Sequence, residues 1–490
     1  MKNNVGYLED VKKQRALLAA VMVAGITTML NNTTVTIALP SFIEIFHTNI
    51  RMVQWVVVGY MLALGMVMPL ASYFGERYSY RKLFITGLGA MGLCSLACAG
   101  AQGLYSLIVF RMLQGAAAGV IVPCTMSLLY RHIPKEKQAH YLGITVMTHS
   151  LGIAVGPSIA GMLLQFLSWH FLFLVNVPLI ILAVYLSWHS LPVEPGRKTK
   201  SLDFIGILMV TVGTGLVLIG FTNVEVWGAT NIKFISCCVT GFLLILLFII
   251  RETKSEEPLL NFTVLKYRPF VIALLINCTM SMTISITGIL VAVYIQTIRG
   301  YSPMEAGLIL LLPSVVLVIG NMVSDRLFGK ISSRMLVFVG LLIATLGNYS
   351  MSLAGLNTGV VAIVFFMCLR YFGMGMVKMP LTDYGLGNVP SYLSGHASSM
   401  FNWGRQIVTV MATNILTVIL SIDISRYYAR AGFRGEIVEG TESYAIAAIQ
   451  AVQDNFFYLA VIIFGSALLA LLMDKNPSMI QKLKPKAVEN

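Results

Sequence analysis

LYSLIVFRMLQGAAAGVIVPCTMSLLY, Leu104 to Tyr130, is an almost unbroken apolar run with one arginine set inside it. A helix needs about 20 apolar residues to cross a hydrocarbon core of about 30 Å, so this stretch is long enough to span. A charged side chain at that depth costs about 2.5 to 3.5 kcal/mol on insertion scales, and it persists where it faces protein or a wet cavity. Gln114, Gly115 and Gly119 follow Arg111 closely, and the small residues let a neighbouring helix approach. Two readings of Arg111 stand side by side: a cap on backbone carbonyls, or a group acting at a protonation or binding site.

Comparable runs recur along the 490 residues at about 16–43, 52–74, 83–101, 138–166, 169–191, 203–222, 231–250, 269–298, 303–328, 335–355, 358–386, 394–422 and 454–473. The reading is fourteen transmembrane helices. Composition agrees, with 57% hydrophobic and 11% charged residues against the quarter charged that is usual in soluble chains. A net charge of +13 invites a nucleic-acid reading, but the bases sit singly between apolar runs and form no basic face. No nucleic-acid partner is expected. All seven cysteines fall within apolar runs and no Cys/His spacing suits zinc, so no metal is expected. The first apolar run continues past Leu30 without a small-residue cleavage site and reads as a first span, not a leader.

An even number of spans places both ends on one side. Sorting Lys and Arg by loop puts 24 on the side of the termini, 6 on the other, and leaves Arg111, Arg370, Lys378 and Arg405 within spans. The positive-inside rule then makes both termini cytoplasmic in a multi-pass plasma or inner membrane protein. Residues 1–191 form a first six-helix bundle. Residues 192–268 hold a linker, PVEPGRKTKS at its start, and two extra helices. Residues 269–490 form a second six-helix bundle, with an outer loop at 423–453 in which Tyr444 to Val452 reads as a short interfacial helix. Arg111 and Arg370 each open the fourth span of their half, and ERYSYRK and SDRLFGKISSR follow each half's second span, an ordered repeat typical of transporters.

Few residues carry chemistry. Lys378 and Asp383 flank Pro380 in GMGMVKMPLTDYG, where a broken helix would let them pair or take up protons in turn. His149 is a candidate proton shuttle or a packing histidine. Gly152, Gly156, Pro157 and Gly161 form G-x-x-x-G-P-x-x-x-G, which loosens a helix and permits close packing. No Walker sequence, H-E-x-x-H or G-x-S-x-G occurs, so neither an ATP-driven pump nor an enzyme is expected.

These strings resemble the major facilitator superfamily, in its fourteen-span drug:proton antiporter branch. LNNTTVTIALP (Leu30 to Pro40), MPLASYFGERYSYRKLF (Met68 to Phe84), RMLQGAAAG, GIAVGPSIAG, LDFIG, YSPMEAGLILLLP and GHASSMFNWGRQ are similar to that branch's ordered motifs. The resemblance implies an all-α integral membrane protein of major facilitator fold, two bundles that rock about a central site, and protons moving inward as a hydrophobic compound leaves. It implies that Arg111 influences the protonation site, that Glu76 and Arg77, with Arg81 and Asp325, belong to an inner-loop gate, and that Gly152, Gly156, Pro157 and Gly161 are the antiporter motif. It departs at Asn31 and Asn32, where many relatives have an acid, a pattern similar to the lincomycin-resistance type. Ser79 replaces the loop glycine.

The expected mechanism follows from these readings. Asp383 supplies the coupling carboxylate that the first span lacks, with Lys378, Arg370 and His149 as its titrating or charged neighbours and Arg111 as the fixed cation. Asn31, Asn32, Gln114, Met147, Phe401, Trp403 and Arg405 are candidates for the substrate cavity. Four intramembrane bases against one acid favour neutral, zwitterionic or anionic amphiphiles over dications. The function expected is proton-coupled multidrug efflux by a monomer that uses the proton gradient and no cofactor. A dedicated exporter of an endogenous lipid, peptide or metabolite is the alternative on the same fold.

Overall fold

The computed structural model describes residues 10–48, 50–192, 203–301, 303–431 and 441–474. Its first part comprises α1 (Val11–Ile37), α2 (Leu39–Ile45), α3 (Ile50–Val67), α4 (Leu70–Tyr78), α5 (Tyr80–Ala99), α6 (Leu104–His132), α7 (Lys135–Phe166), α8 (Phe171–Leu174) and α9 (Asn176–Ser190). Then come α10 (Phe204–Thr222), α11 (Val224–Trp227) and α12 (Ile232–Lys254). The rest is α13 (Arg268–Ala292), α14 (Pro303–Leu327), α15 (Ser333–Ser352), α16 (Val360–Gly387), α17 (Ser394–Arg430) and α18 (Glu442–Ala470).

Twelve of the helical segments are long and apolar enough to cross a membrane, and a thirteenth is added if α3 and α4 count as one. That pair bends by 56° where Met68 and Pro69 interrupt it. Proline lacks the amide proton that would bond back into the preceding turn. The fifth expected span coincides with α7, which is not among the twelve. Large apolar side chains such as Leu93, Tyr105, Phe166, Ile232 and Val361 stand exposed on the outside of the bundle, as a lipid solvent requires.

The repeat seen in sequence reappears as packing. In the first half α6 packs on α3 and α5, and α7 on α1; in the second α16 packs on α14 and α15, and α17 on α13. Glycines set the spacing in both. A side-chain carbon at Gly119 would sit 2.6 Å from the Leu64 carbonyl oxygen, and one at Gly320 would sit 2.5 Å from that of Phe372. The inserted α10 rests against α3 of one half and α17 of the other, with α12 behind it. Its start is clamped to α12 by Asp203, whose carboxylate accepts from Arg251 Nε at 3.1 Å and Nη2 at 3.0 Å. Burial works against that charge, but the guanidinium and the Gly206 amide outweigh it and hold the carboxyl below its usual range.

The two ends of the bundle differ. At the end where α1 starts and α18 finishes, called here the basic end, one apolar cluster runs through Tyr73, Tyr130, Leu142, Leu260, Phe270, Ala397 and Phe401 and so joins both halves. At the opposite end each half keeps its own cluster, around Phe42, Trp169 and Phe173 in the first and around Tyr294, Tyr444 and Phe456 in the second. Apolar packing therefore closes the cleft at the basic end.

The 423–453 expectation is corrected. α17 continues to Arg430, and Tyr444 to Val452 is the start of the 29-residue α18, whose apolar residues Tyr444, Ala448 and Val452 pack into the second half's core; residues 432–440 lie outside the described residues. Most of the expected linker start, 193–202, lies outside them too.

Candidate functional site: a closed seam and a basic cluster above it

Arg111 is completely buried. Its Nε donates to the Val56 carbonyl at 3.1 Å, and Nη1 donates to Asn31 Oδ1 at 2.9 Å and to Gln114 Oε1 at 2.7 Å. Gln114 passes the bond on to Ser95 at 2.7 Å, and the Tyr60 ring lies 4.2 Å from the guanidinium carbon. Arg370 repeats the plan in the second half, donating to Asn348 Oδ1 at 3.1 Å and to the Thr283 carbonyl at 2.8 Å. Each arginine ties three helices of its own half together through neutral oxygens. The side-chain oxygens of Asn31 and Gln114 are thereby engaged by Arg111, and the Asn31 Nδ2 is buried without a partner.

Asp383 does not meet the residues expected beside it. α16 runs unbroken through Pro380, and five residues of helix rotate Asp383 by about 140° away from Lys378. Arg370 lies thirteen residues back, about 20 Å along the axis. Asp383 is instead one turn from the basic end of α16, buried, and in electrostatic contact with Tyr130 of the first half.

Around it lies the seam between the halves. Glu76, at the end of α4, faces His396 Nε2 of α17 at 3.1 Å and Arg131 of α6 at 3.7 Å. Asp325, at the end of α14, faces His140 Nδ1 of α7 at 3.5 Å. Each half thus sends one carboxylate from the end of its second span to a histidine on the other half. Ser398 Oγ donates to the Pro123 carbonyl at 2.8 Å and, deeper in the bundle, Asn321 Nδ2 donates to Ser150 Oγ at 2.9 Å, so hydrogen bonds between the halves continue past the carboxylates. Gly143 and Gly395 make it fit: a side-chain carbon on the first would meet Asp325 Oδ1 at 2.6 Å, and one on the second would fall on the Tyr80 hydroxyl. Ser79 holds φ +95°, the left-handed region that favours glycine, where the chain turns from α4 into α5. Arg81 does not join the seam; it donates to the Trp188 carbonyl at 2.6 Å within its own half. Arg77 stacks near Tyr78, its guanidinium carbon 5.5 Å from the ring. Neither of the two histidines was singled out by sequence reading; the signal was their matching placement near the starts of α7 and α17, the helices that follow α6 and α16 in the two halves.

Above the seam Lys378 of α16, Arg405 of α17 and His149 of α7 act on one another electrostatically. His149 Nδ1 pairs with the Thr145 carbonyl at 2.9 Å, and its ring lies on Gly25 of α1. Gly152 and Gly156 press against Met29 and Thr33 of α1, whereas Gly161 has open space beside it; the Pro157 side chain lies outside the described residues. Phe401 and Trp403 are removed from the cavity wall. Phe401 packs in the joint core 6.1 Å from the Phe270 ring, and Trp403 Nε1 donates to Thr214 Oγ1 of α10 at 3.1 Å. Asn32 and Met147 are half-buried, and the Asn32 Oδ1 is buried without a partner. Among the described residues no group of three or more His, Cys, Asp or Glu could hold a metal ion.

A family model described as Major Facilitator Superfamily matches residues 21–413. The lincomycin resistance protein LmrB of Listeria innocua is 25% identical over 458 residues, covering 93% of this chain and 96% of its own. The tetracenomycin C resistance and export protein of Streptomyces glaucescens is 26% identical over 405 residues, 82% of this chain and 75% of its own. An uncharacterized transporter of the same type, YhcA of Bacillus subtilis, is 27% identical over 428 residues, 87% and 80%. Among solved structures, the human organic anion transporter MFSD10 superposes with TM-score 0.64 at 12% identity, covering 93% of this chain and 99% of that one. The proton:xylose symporter XylE superposes with TM-score 0.65 at 10% identity, covering 93% and 95%. The structural likenesses show the fold.

Proposed function

This chain belongs to the major facilitator superfamily, a multi-pass membrane transporter and not an enzyme, and from there we propose that it exports hydrophobic and amphiphilic drugs across the cell membrane in exchange for protons. One observation carries the alternating-access part: the cleft between the halves is packed shut by side chains at the basic end and by none of the described cross-half hydrogen bonds or ion pairs at the opposite end. A protein built of two such halves exchanges the closed end by rocking. The drug-resistance names of the relatives support the direction and the cargo.

In this reading α3 with α4 is one bent span and the 32-residue α7 is another, bringing the total to fourteen, with both termini in the cytoplasm and the basic end facing inward. The protein works as a monomer and takes its energy from the proton gradient. Asp383, sealed into the seam, meets cytoplasmic water only when the seam parts, which makes it the coupling carboxylate of the cycle. The test is a drug-susceptibility panel in an efflux-deficient host with and without an uncoupler, followed by drug-driven proton movement in proteoliposomes. Asp383→Asn is expected to abolish proton-linked export while leaving drug binding measurable. Unchanged proton-linked export in that variant would remove Asp383 from the mechanism, and resistance indifferent to the uncoupler would remove proton coupling.

A further inference from the structure

The four bases within the spans are of two kinds. Arg111 and Arg370 each donate to carbonyl and amide oxygens of their own halves, although the Arg111 Nη2 is left buried without a partner. Lys378 and Arg405 do not: among the described residues neither side chain has a hydrogen-bond or ion-pair partner. The titratable groups that act on them are each other, His149 and the Cys278 thiol beside Arg405, and no carboxylate is among these. Like charges held together away from bulk water repel and forfeit hydration, so such a pair persists where an anion completes it.

Its position is that of a ligand site. Lys378 lies nine residues from the basic end of α16, Arg405 eleven from that of α17 and His149 fourteen from that of α7. At 1.5 Å per residue these are about 14 to 21 Å deep, immediately beyond the seam and near the middle of the bilayer. The three come from both halves, so a ligand held among them touches both rocking units.

We propose that Lys378 and Arg405, with His149 opposite, form an anion subsite that binds the carboxylate of an organic acid whose apolar body occupies the rest of the cleft. This rests on the export reading for direction of transport and narrows its cargo to acidic amphiphiles. Arg405 supplies a planar donor fork and Lys378 a point charge, a combination suited to a carboxylate approached from two sides.

The experiment uses the full chain purified in maltoside without phospholipid. Binding of 11-(dansylamino)undecanoic acid is compared by fluorescence with that of its methyl ester and of the corresponding amine. The acid is expected to bind at least tenfold more tightly than the ester, about 1.4 kcal/mol. Lys378→Gln and Arg405→Gln are each expected to bring that ratio below threefold with ester affinity unchanged, which also reports that the variant is folded. Lys378→Arg is expected to keep the preference. Equal binding of acid and ester, preference for the amine, or displacement of the acid by phosphatidylglycerol at equal mole fraction would overturn the subsite, the last by assigning it to lipid phosphate. Binding is read without transport, so acid preference in a protein that exports no probe would sink the export reading and leave the subsite standing.

Discussion

Replacing Glu76 by glutamine tests whether the seam sets the balance between the two cleft orientations. The carboxylate is 12% exposed and faces His396 of the other half at 3.1 Å. A hydrogen bond to a charged group contributes about 1.5 to 3 kcal/mol net, and the amide keeps a neutral bond of about 1 kcal/mol in the same shape, so the loss is about 0.5 to 2 kcal/mol. All of it falls on the state closed at the basic end, because parting the halves breaks the contact in either variant. The population open at the basic end should therefore rise about two- to thirtyfold. Spin labels at Lys82→Cys and Lys330→Cys, both exposed after the second span of their halves, read this as a new long-distance peak in a background without the seven native cysteines. Asp325→Asn on the other flank shares no partner with Glu76 and should shift the balance in the same direction, multiplicatively in the double variant. A distance distribution that stays at its wild-type shape in Glu76→Gln, or that moves toward closure, would refute the reasoning.

Arg111→Met should cost about 3 to 5 kcal/mol in detergent unfolding, since it strands three buried oxygens, and Arg111→Lys should cost less yet not nothing because the fork geometry is lost; wild-type stability with transport abolished would make the arginine a purely functional group. Gly156→Ala drives a carbon onto Thr33 Oγ1 and should cost about 1 to 3 kcal/mol of stability, with Thr33→Ala, which removes that oxygen, restoring part of it in the double variant, a rescue that thermal melts detect. Trp403→Phe should remove about 0.5 to 1.5 kcal/mol by deleting the bond to Thr214, and limited proteolysis should then cut more readily beside α10.

Membrane insertion was legible without any structure, because the cost of an unpaired backbone in hydrocarbon forces long apolar helices and the runs announce themselves. The paired halves were legible too, since Arg111 and Arg370 recur at corresponding places. What residue spacing could not carry was rotation about each helix. Lys378 and Asp383 are five residues apart in a string and yet face different surroundings, one acted on by Arg405 and the other buried beside Tyr130. Phe401 and Trp403 look like cavity wall by composition, but α17 turns them into the joint core and toward α10.

Local residue order thus determined that this polypeptide lies in a bilayer, that it is built twice over, and that its few charges within apolar runs matter. Only the tertiary arrangement decided which charges are already satisfied. Arg111 finds its oxygens on α1 and α3, and Glu76 finds its histidine some 320 residues away on α17, and such partnerships depend on which helix faces which across the bundle. Solvation of a buried charge is a property of the assembled surroundings, so the unsatisfied pair at Lys378 and Arg405 emerged only when all the helices were in place.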